Sequence, residues 1–245
     1  MKIVGVIPAR YASSRLPGKP IADICGKPMI WWVYNRVSKV KELTAVYVAT
    51  DDERIMKVCR TYGINAILTS PNHSTHLDRL SEFSKMVDAD FYINVNGDEP
   101  LIEPSCIRDL IPNNISPESD YAANGMMYIT NPVDAIDTSK GKIVTDVNGY
   151  ALYISRNPIP YPKASANYQM KKFVGVQCFT KKALDFCGKT PRGPIEQIED
   201  CDEFRFLENG YKLKFILTHS NAFAVDTEKD LERVRGIIDE ASING

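Results

Sequence analysis

Residues 8–20, PARYASSRLPGKP, form a basic and sharply bent segment directly after an apolar opening. The segment carries Arg10, Arg15 and Lys19 together with Gly18 and three prolines. Cationic side chains beside backbone amides that a glycine leaves approachable can cradle a polyphosphate. The spacing matches neither the P-loop pattern GxxxxGK[ST] nor the dinucleotide pattern GxGxxG. The alternative is that the cations are solvated and that the prolines and glycine only shape a connection from strand to helix.

Two aspartates stand where they could hold a divalent cation. Asp98 lies in the turn NGDEP, which follows the apolar segment DFYINV, and Asp226 follows the apolar stretch 222–225. Mg²⁺ prefers oxygen ligands and is usually bound by one or two carboxylates plus substrate phosphates. We therefore expect Mg²⁺ as the cofactor. The alternatives are structural, with Asp98 as a turn former and Asp226 as a helix N-cap.

The overall composition excludes several classes of protein. Thirty basic and 31 acidic residues give 245 residues a net charge of -1, so any anion site must be local and no nucleic-acid partner is indicated. Six cysteines without a CxxC pair favour reduced core thiols over a zinc site. No segment approaches the ~20 apolar residues of a membrane span, and no cleavable leader is evident. We therefore expect a cytoplasmic protein that does not bind membranes.

The elements that must position these residues are typical of a doubly wound α/β fold with a mostly parallel sheet. Strands are predicted at 2–7, 45–50, 66–68 and 90–95. Helices are predicted at 28–40, 52–62 and 77–87. Ligands of such folds bind at the carboxyl ends of the strands, where the basic segment and Asp98 both lie. This placement favours the phosphate-binding interpretation of the segment.

The pattern changes at about residue 120. Strands are predicted at 119–129, 141–147, 149–156 and 172–179, and Asn148-Gly149 is the clearest hairpin signal. We therefore expect one domain over 1–245 that contains a smaller antiparallel element at about 120–190. A helix at 194–209, a strand at 213–217 and a helix at 227–239 complete the predicted order.

Four segments together resemble a known family. PARYASSRLPGKP, INVNGDEPLI, GYALYISRNPIP and VDTEKDLERV are similar, in order and over nearly the whole chain, to the cytidylyltransferases that make CMP-3-deoxy-manno-octulosonate (CMP-KDO). The resemblance implies a fold of the nucleotide-diphospho-sugar transferase type. It also implies a Mg²⁺-dependent enzyme that joins CMP from CTP to a small anionic sugar acid, releases pyrophosphate and works as a homodimer in lipopolysaccharide or capsule synthesis.

The same resemblance assigns roles position by position. The implied catalytic residues are Arg10, Lys19 and Asp98. The implied metal ligands are Asp98 and Asp226. The implied nucleotide-binding residues are Pro8, Ala9, Arg10, Ser13, Ser14, Arg15, Lys19, Thr75, Arg79 and Asn96. The implied substrate-binding residues, which lie in the acceptor half, are Arg156, Phe173, Gln177, Glu196 and Glu199.

The chain departs from the family near the base and the acceptor. The family pattern H-x-S-G-T-[DE]-R reads HSTHLDR here, with His76 at the glycine position. The family pattern HLGIYGY reads FVGVQCF, with Phe173 and Gln177 in place of histidine and tyrosine. Losing groups that read hydroxyls should weaken the use of KDO itself by orders of magnitude. We therefore expect a related sugar acid as the acceptor. The alternatives are a small phosphonate or phosphate acceptor and, from another class, a non-catalytic nucleotide-binding module.

Overall fold

A mostly parallel sheet organises the chain, for which a computed structural model describes residues 1–12, 15–164, 167–219 and 223–243. The strands are β1 (Ile3–Ala9), β2 (Asp23–Ile24), β3 (Lys27–Pro28), β4 (Ala45–Thr50), β5 (Ala66–Leu68), β6 (Phe91–Val95), β7 (Ala122–Tyr128), β8 (Lys142–Thr145), β9 (Ala151–Ser155), β10 (Lys171–Thr180) and β11 (Leu213–Leu217). The helices are α1 (Met29–Val37), α2 (Glu53–Thr61), α3 (His76–Met86), α4 (Pro104–Asp109), α5 (Pro132–Ile136), α6 (Lys181–Lys189), α7 (Pro194–Glu199), α8 (Phe204–Leu207) and α9 (Glu228–Ile243).

The strand order along the sheet is β11-β7-β10-β6-β1-β4-β5. Six of these seven strands run in the same direction, and β10 runs antiparallel between β6 and β7. The hairpin β8–β9 joins the sheet through β10 and turns at Asn148-Gly149, as the sequence predicts. The predicted α/β fold with a mostly parallel sheet is therefore confirmed.

Alternate residues of β1 belong to two different hydrophobic clusters. Ile3 and Ile7 pack on the side of α1, whereas Val4 and Val6 pack on the side of α3. A strand that is buried on both faces needs a continuous apolar run rather than an alternating one, which is what the β-branched opening supplies. The end of β1 therefore has a fixed position, from which the basic segment departs.

The prediction of one continuous helix at 194–209 is wrong. Two short helices, α7 and α8, replace it, and Asp200 between them adopts a left-handed conformation with φ of 47°. This conformation ends α7 because L-residues do not continue a right-handed helix through it. The break turns residues 200–203 towards the cleft described below.

The cysteines and the helices bear on the redox state and on membrane insertion. None of the six cysteines forms a disulfide, and all except Cys25 are buried, which agrees with the expectation of reduced core thiols. Within the part of the chain that the structure describes, no helix has the length and apolar character needed to cross a bilayer.

Candidate active site

A cleft of about 420 Å³ opens beside the carboxyl ends of β1 and β6. It gathers most of the residues to which the resemblance assigned a role: Pro8, Ala9, Arg10, Arg15, Lys19, Thr75, Arg79, Asn96, Asp98, Arg156, Phe173, Gln177 and Asp226. Ser13 and Ser14 lie outside the described residues. Glu196 and Glu199 are not part of the cleft lining. The topology thus brings the nucleotide half and the acceptor half of the prediction onto one surface.

Lys19 lies at the centre of the basic segment's contacts. Gly18, with φ of 70°, precedes the 3₁₀ turn Lys19–Ile21, and its amide donates to the carbonyl of Tyr11 at 3.0 Å. This turn aims the Lys19 ammonium at both predicted metal ligands. Its Nζ lies 2.8 Å from Oδ2 of Asp98 and 3.3 Å from Oδ1 of Asp226.

The carboxylate of Asp226 faces the cleft and does not cap α9. Thr227 and Asp230 perform that capping, since the amide of Thr227 donates to Oδ2 of Asp230 at 2.9 Å and the amide of Asp230 donates to Oγ1 of Thr227 at 3.3 Å. Asp226 instead accepts from Nη2 of Arg15 at 3.0 Å as well as from Lys19. The N-cap alternative for Asp226 is therefore wrong.

The two aspartates fit a magnesium ion. Both offer hard oxygen ligands, and Oδ1 of Asp98 is buried without a hydrogen-bond partner among the described residues. The described residues hold no group of three or more histidine, cysteine, aspartate or glutamate side chains that could bind a metal. A pair of carboxylates that leaves several coordination positions to phosphate oxygens and water suits Mg²⁺ better than a transition metal.

Close backbone contacts hold the turn that carries Asp98. A Cβ on Gly97 would lie 2.8 Å from the carbonyl oxygen of Pro8, and one on Gly175 would lie 2.3 Å from Oε1 of Glu99. The amide of Gly175 donates to that same Glu99 oxygen at 2.8 Å. Burial, reinforced by the neighbouring Asp98 carboxylate, raises the pKa of Glu99 to about 8. Glu99 belongs to the motif GDEP but is not among the predicted site residues.

The segment HSTHLDR forms the start of α3. Thr75 and Asp78 make a capping box, in which Oγ1 of Thr75 accepts from the amide of Asp78 at 3.2 Å and Asp78 accepts from the amide of Thr75 at 3.1 Å. Arg79 lines the cleft yet is bound on its inner side by Asp51 at 2.6 Å and Thr69 at 2.5 Å. Thr75 and Arg79, which are predicted to bind the nucleotide, therefore also stabilise the start of α3 and the segment before it.

Two departures from the family pattern contact each other. Nε2 of His76 lies 2.9 Å from Oε1 of Gln177, and Nδ1 of His76 lies 2.8 Å from the carboxylate of Asp202. Nε2 of Gln177 in turn donates to Glu203 at 2.6 Å. Burial alone would lower the pKa of His76, but Asp202, with smaller contributions from Glu203 and Gln177, raises it to about 9. The imidazole is thus protonated at neutral pH.

Arg156 lies at the acceptor end of the cleft. Its guanidinium donates to three backbone carbonyls, those of Glu199 at 2.9 Å, Ser139 at 2.8 Å and Asp200 at 2.6 Å. None of these acceptors is a carboxylate, so the positive charge of Arg156 remains available to an anion. Phe173 lines the same end and packs over Gly141, where a Cβ would lie 2.2 Å from its ring.

Two predicted substrate-binding residues are placed differently from the rest. Glu199 accepts from Oγ of Ser155 at 3.0 Å and from the amide of Arg156 at 2.9 Å, so it supports Arg156 from behind. Glu196 is fully buried, and its two carboxylate oxygens accept from Arg205 at 2.6 and 3.0 Å. Neither carboxylate can reach a ligand in the cleft without breaking these bonds, because both carboxylates are held by protein donors.

Sequence reasoning missed the residues that follow α7. Arg205 is 1% exposed and joins Glu196 to Asp78 at the start of α3. Asp202 and Glu203 line the cleft through the break between α7 and α8. Because the sequence pattern predicted one continuous helix there, no local signal indicated that these acids turn towards the acceptor.

The chain is similar over almost its whole length to proteins of known activity. The sequence profile of the family described as Cytidylyltransferase matches residues 4–216. The chain belongs to the cytidylyltransferase family. It is 40% identical over 237 residues to the 8-amino-3,8-dideoxy-manno-octulosonate cytidylyltransferase of Shewanella sp. (strain W3-18-1), covering 95% of this chain and 97% of that protein.

Two further relatives point to the same branch of the family. The 3-deoxy-manno-octulosonate cytidylyltransferase of Fusobacterium nucleatum subsp. nucleatum is 40% identical over 244 residues, which cover 99% of each chain. The structure of CMP:2-keto-3-deoxy-manno-octonic acid synthetase complexed with CTP superposes with a TM-score of 0.89 at 36% identity, covering 98% of this chain and all of that one. The resemblance to CMP-KDO synthetases is confirmed, and this cytidylyltransferase is a nucleotidyltransferase.

Proposed function

We propose that this cytidylyltransferase transfers CMP from CTP to a 2-keto-3-deoxy sugar acid with Mg²⁺ as the cofactor. The observation that carries the proposal is the convergence of Lys19 on Asp98 and Asp226 at the end of the basic segment. This arrangement offers cations for a triphosphate and carboxylates for a metal within one cleft. The 36% identical neighbour complexed with CTP and the relatives named for KDO-type acceptors support the choice of both substrates.

The chemistry requires positioning and charge neutralisation more than a covalent nucleophile. The acceptor's hydroxyl oxygen forms a bond to the α-phosphorus, the bond to the bridging oxygen breaks, pyrophosphate leaves with its electron pair, and the hydroxyl proton passes to solvent. Arg10, Arg15 and Lys19 would neutralise the triphosphate. Arg156 would orient the carboxylate of the sugar acid. When bound by Asp98 and Asp226, Mg²⁺ would supply further charge neutralisation on the phosphate oxygens.

A second acceptor is favoured by the charges at the acceptor end. Among the described residues, three acidic residues line that end of the cleft beside two cations, the imidazolium of His76 and the guanidinium of Arg156. The acidic residues are Asp200, Asp202 and Glu203. A negative surplus favours an acceptor group that carries a positive charge over one that carries a hydroxyl. The 8-amino-3,8-dideoxy acid in the name of the Shewanella relative carries such an amine. We therefore include it beside KDO as a proposed acceptor, ahead of a phosphonate.

The working form of the enzyme is part of the proposal. Large apolar side chains are exposed on the element at about 120–190, including those of Val133 at 63%, Ile136 at 70% and Leu152 at 63%. Burial of such side chains against a second copy would support the homodimer that the resemblance implies. The cytoplasmic location expected from the sequence also remains a proposal.

Replacing each predicted metal ligand tests the function. We expect Asp98→Asn and Asp226→Asn each to lower kcat for pyrophosphate release by on the order of 100-fold or more, since each amide lacks the negative charge that holds the cation. The assay uses CTP, Mg²⁺ and whichever of KDO and its 8-amino-8-deoxy analogue the wild-type protein turns over faster. Asp230→Asn is the matched control, because its carboxylate caps α9 and should leave activity within a few fold. Full activity in both Asp98→Asn and Asp226→Asn would contradict the proposed mechanism.

A further inference from the structure

The ammonium of Lys19 has every one of its donors in use. An ammonium carries three N–H groups. Nζ of Lys19 lies 2.8 Å from Oδ2 of Asp98, 3.3 Å from Oδ1 of Asp226 and 2.9 Å from the carbonyl oxygen of Val225. The side chain is only 16% exposed. In this position Lys19 has no N–H left to donate to a phosphate oxygen.

If the proposed function is correct, Lys19 and the metal compete for the carboxylate oxygens of Asp98 and Asp226. A cation that bridges Asp98 and Asp226 must take the carboxylate oxygens that the ammonium now holds. A lysine that grips the triphosphate must release at least one of them. We propose that Lys19 is a built-in counter-ion of the magnesium site, and that CTP binding exchanges it: the triphosphate takes the ammonium, and the two aspartates then take Mg²⁺. The inference rests on the proposed function.

The fold allows this exchange without moving the aspartates. The amide of Val225 donates to the carbonyl of Asp98 at 2.8 Å, so a backbone hydrogen bond joins the two segments that carry the carboxylates. The flexible four-carbon stem of Lys19 lets its ammonium move while Gly18 and the buried Pro20 hold its backbone. Two carboxylates brought together without a cation repel each other. The lysine therefore keeps the pair assembled until the metal arrives with the nucleotide.

Arg15 also contacts Asp226, but from a more exposed position. Its Nη2 lies 3.0 Å from Oδ1 of Asp226, and 56% of its side chain is exposed. Solvent-exposed ion pairs contribute little to stability because water and salt screen them. Lys19, which alone of these two residues contacts both aspartates among the described contacts, is thus the stronger competitor for the metal.

The test measures binding of Mn²⁺, an oxygen-seeking substitute for Mg²⁺ with a paramagnetic signal, by titration followed by electron paramagnetic resonance. We expect CTP to tighten Mn²⁺ binding to the wild-type protein beyond the binding of Mn²⁺ by CTP itself. We expect Lys19→Met, which keeps a long unbranched stem, to bind Mn²⁺ without nucleotide about 10-fold more tightly than wild type, within the usual range of couplings between sites.

Two further variants make this gain specific. Arg10→Met removes a positive charge from the same cleft but has no contact with either aspartate among the described residues, so it should leave Mn²⁺ binding nearly unchanged. Adding Asp226→Asn to Lys19→Met should abolish the gain if the two aspartates bind the ion. Circular dichroism melting of each variant verifies that it is folded.

Each outcome decides between the two claims. An affinity of Lys19→Met for Mn²⁺ no tighter than wild type, or an equal gain in Arg10→Met, would overturn the exchange. Pyrophosphate release by the wild-type protein is measured separately. If the wild-type enzyme turns over but Lys19→Met gains no affinity, the exchange is wrong and the proposed function stands. If none of the acceptors tested makes the wild-type protein release pyrophosphate from CTP, the proposed function is wrong, whatever the titrations show.

Discussion

His76 orders the acceptor end of the cleft at the scale of single residues. As an imidazolium it donates from both ring nitrogens, to Asp202 and to Oε1 of Gln177. That oxygen also accepts from Asn94 at 2.8 Å, which directs the Gln177 amide nitrogen to Glu203. Two residues that depart from the family pattern 101 positions apart in sequence therefore act as one hydrogen-bonded unit. Neither substitution can be interpreted without the other.

The charge of His76 gives stability a defined pH dependence. Its pKa is 6.5 for an unperturbed side chain and about 9 in the folded protein, since Asp202 outweighs the opposing effect of burial. Because the folded-state pKa is the higher one, the stabilisation is fully present below pH 6.5, declines above it and is lost once pH passes about 9. We expect the difference in unfolding free energy between wild type and His76→Asn to shrink over this window. Urea titrations at pH 6, 7.5 and 9.5 measure it, and parallel pH profiles would contradict it.

At the scale of elements, Arg205 joins α8 to α7 and to the start of α3. We expect Arg205→Met to lower the free energy of unfolding by about 3–5 kcal/mol, because it removes the buried cation that holds both carboxylate oxygens of Glu196 and leaves only the partly exposed Arg192 at 3.1 Å. Adding Glu196→Gln should recover part of this loss. Arg60→Met is the control, since Arg60 and its partner Glu53 are both exposed and should contribute less than about 1 kcal/mol. Urea unfolding measures all three, and a loss in Arg205→Met no larger than the control would show that Glu196 does not depend on it.

The sequence predicted the elements where local pattern decides them. The strands at 45–50, 66–68 and 213–217 have the observed bounds, because apolar β-branched runs between turns leave little choice. The prediction of a helix at 194–209 failed because the residues at its break contact side chains far away in the sequence. Asp202 contacts His76, and Glu203 accepts a hydrogen bond from Gln177. The short helices α4, α5 and α6 were also missed.

The same division holds for the candidate site. Residues at the carboxyl ends of β1 and β6 could be placed by a general rule for parallel sheets, and Lys19 and Asp98 do meet there. The contacts of Glu196 and Glu199 could not be predicted, because a family resemblance indicates which residue occupies a position but not what its side chain contacts. In this fold they hold Arg205 and Arg156.

At the scale of the whole molecule, the two halves of the cleft are supplied by different parts of the chain. The basic segment and the aspartates Asp98 and Asp226 form the nucleotide half, whereas Arg156, Phe173 and Gln177 form the acceptor half on and beside β10. The reversed strand β10 lies next to β6, so it brings the acceptor residues against the turn that carries Asp98. Both halves of the cleft contain cationic side chains, which the net charge of -1 of the whole chain does not indicate.

The most direct test of the account is to identify the product. The wild-type protein is incubated with Mg²⁺, each nucleoside triphosphate in turn, and KDO, its 8-amino-8-deoxy analogue or a small phosphonate, and the mixture is followed by ³¹P nuclear magnetic resonance. We predict that CTP with a sugar acid gives pyrophosphate and a CMP-sugar phosphodiester in equal amounts. Formation of no CMP ester with either sugar acid, or of one with the phosphonate alone, would contradict the account.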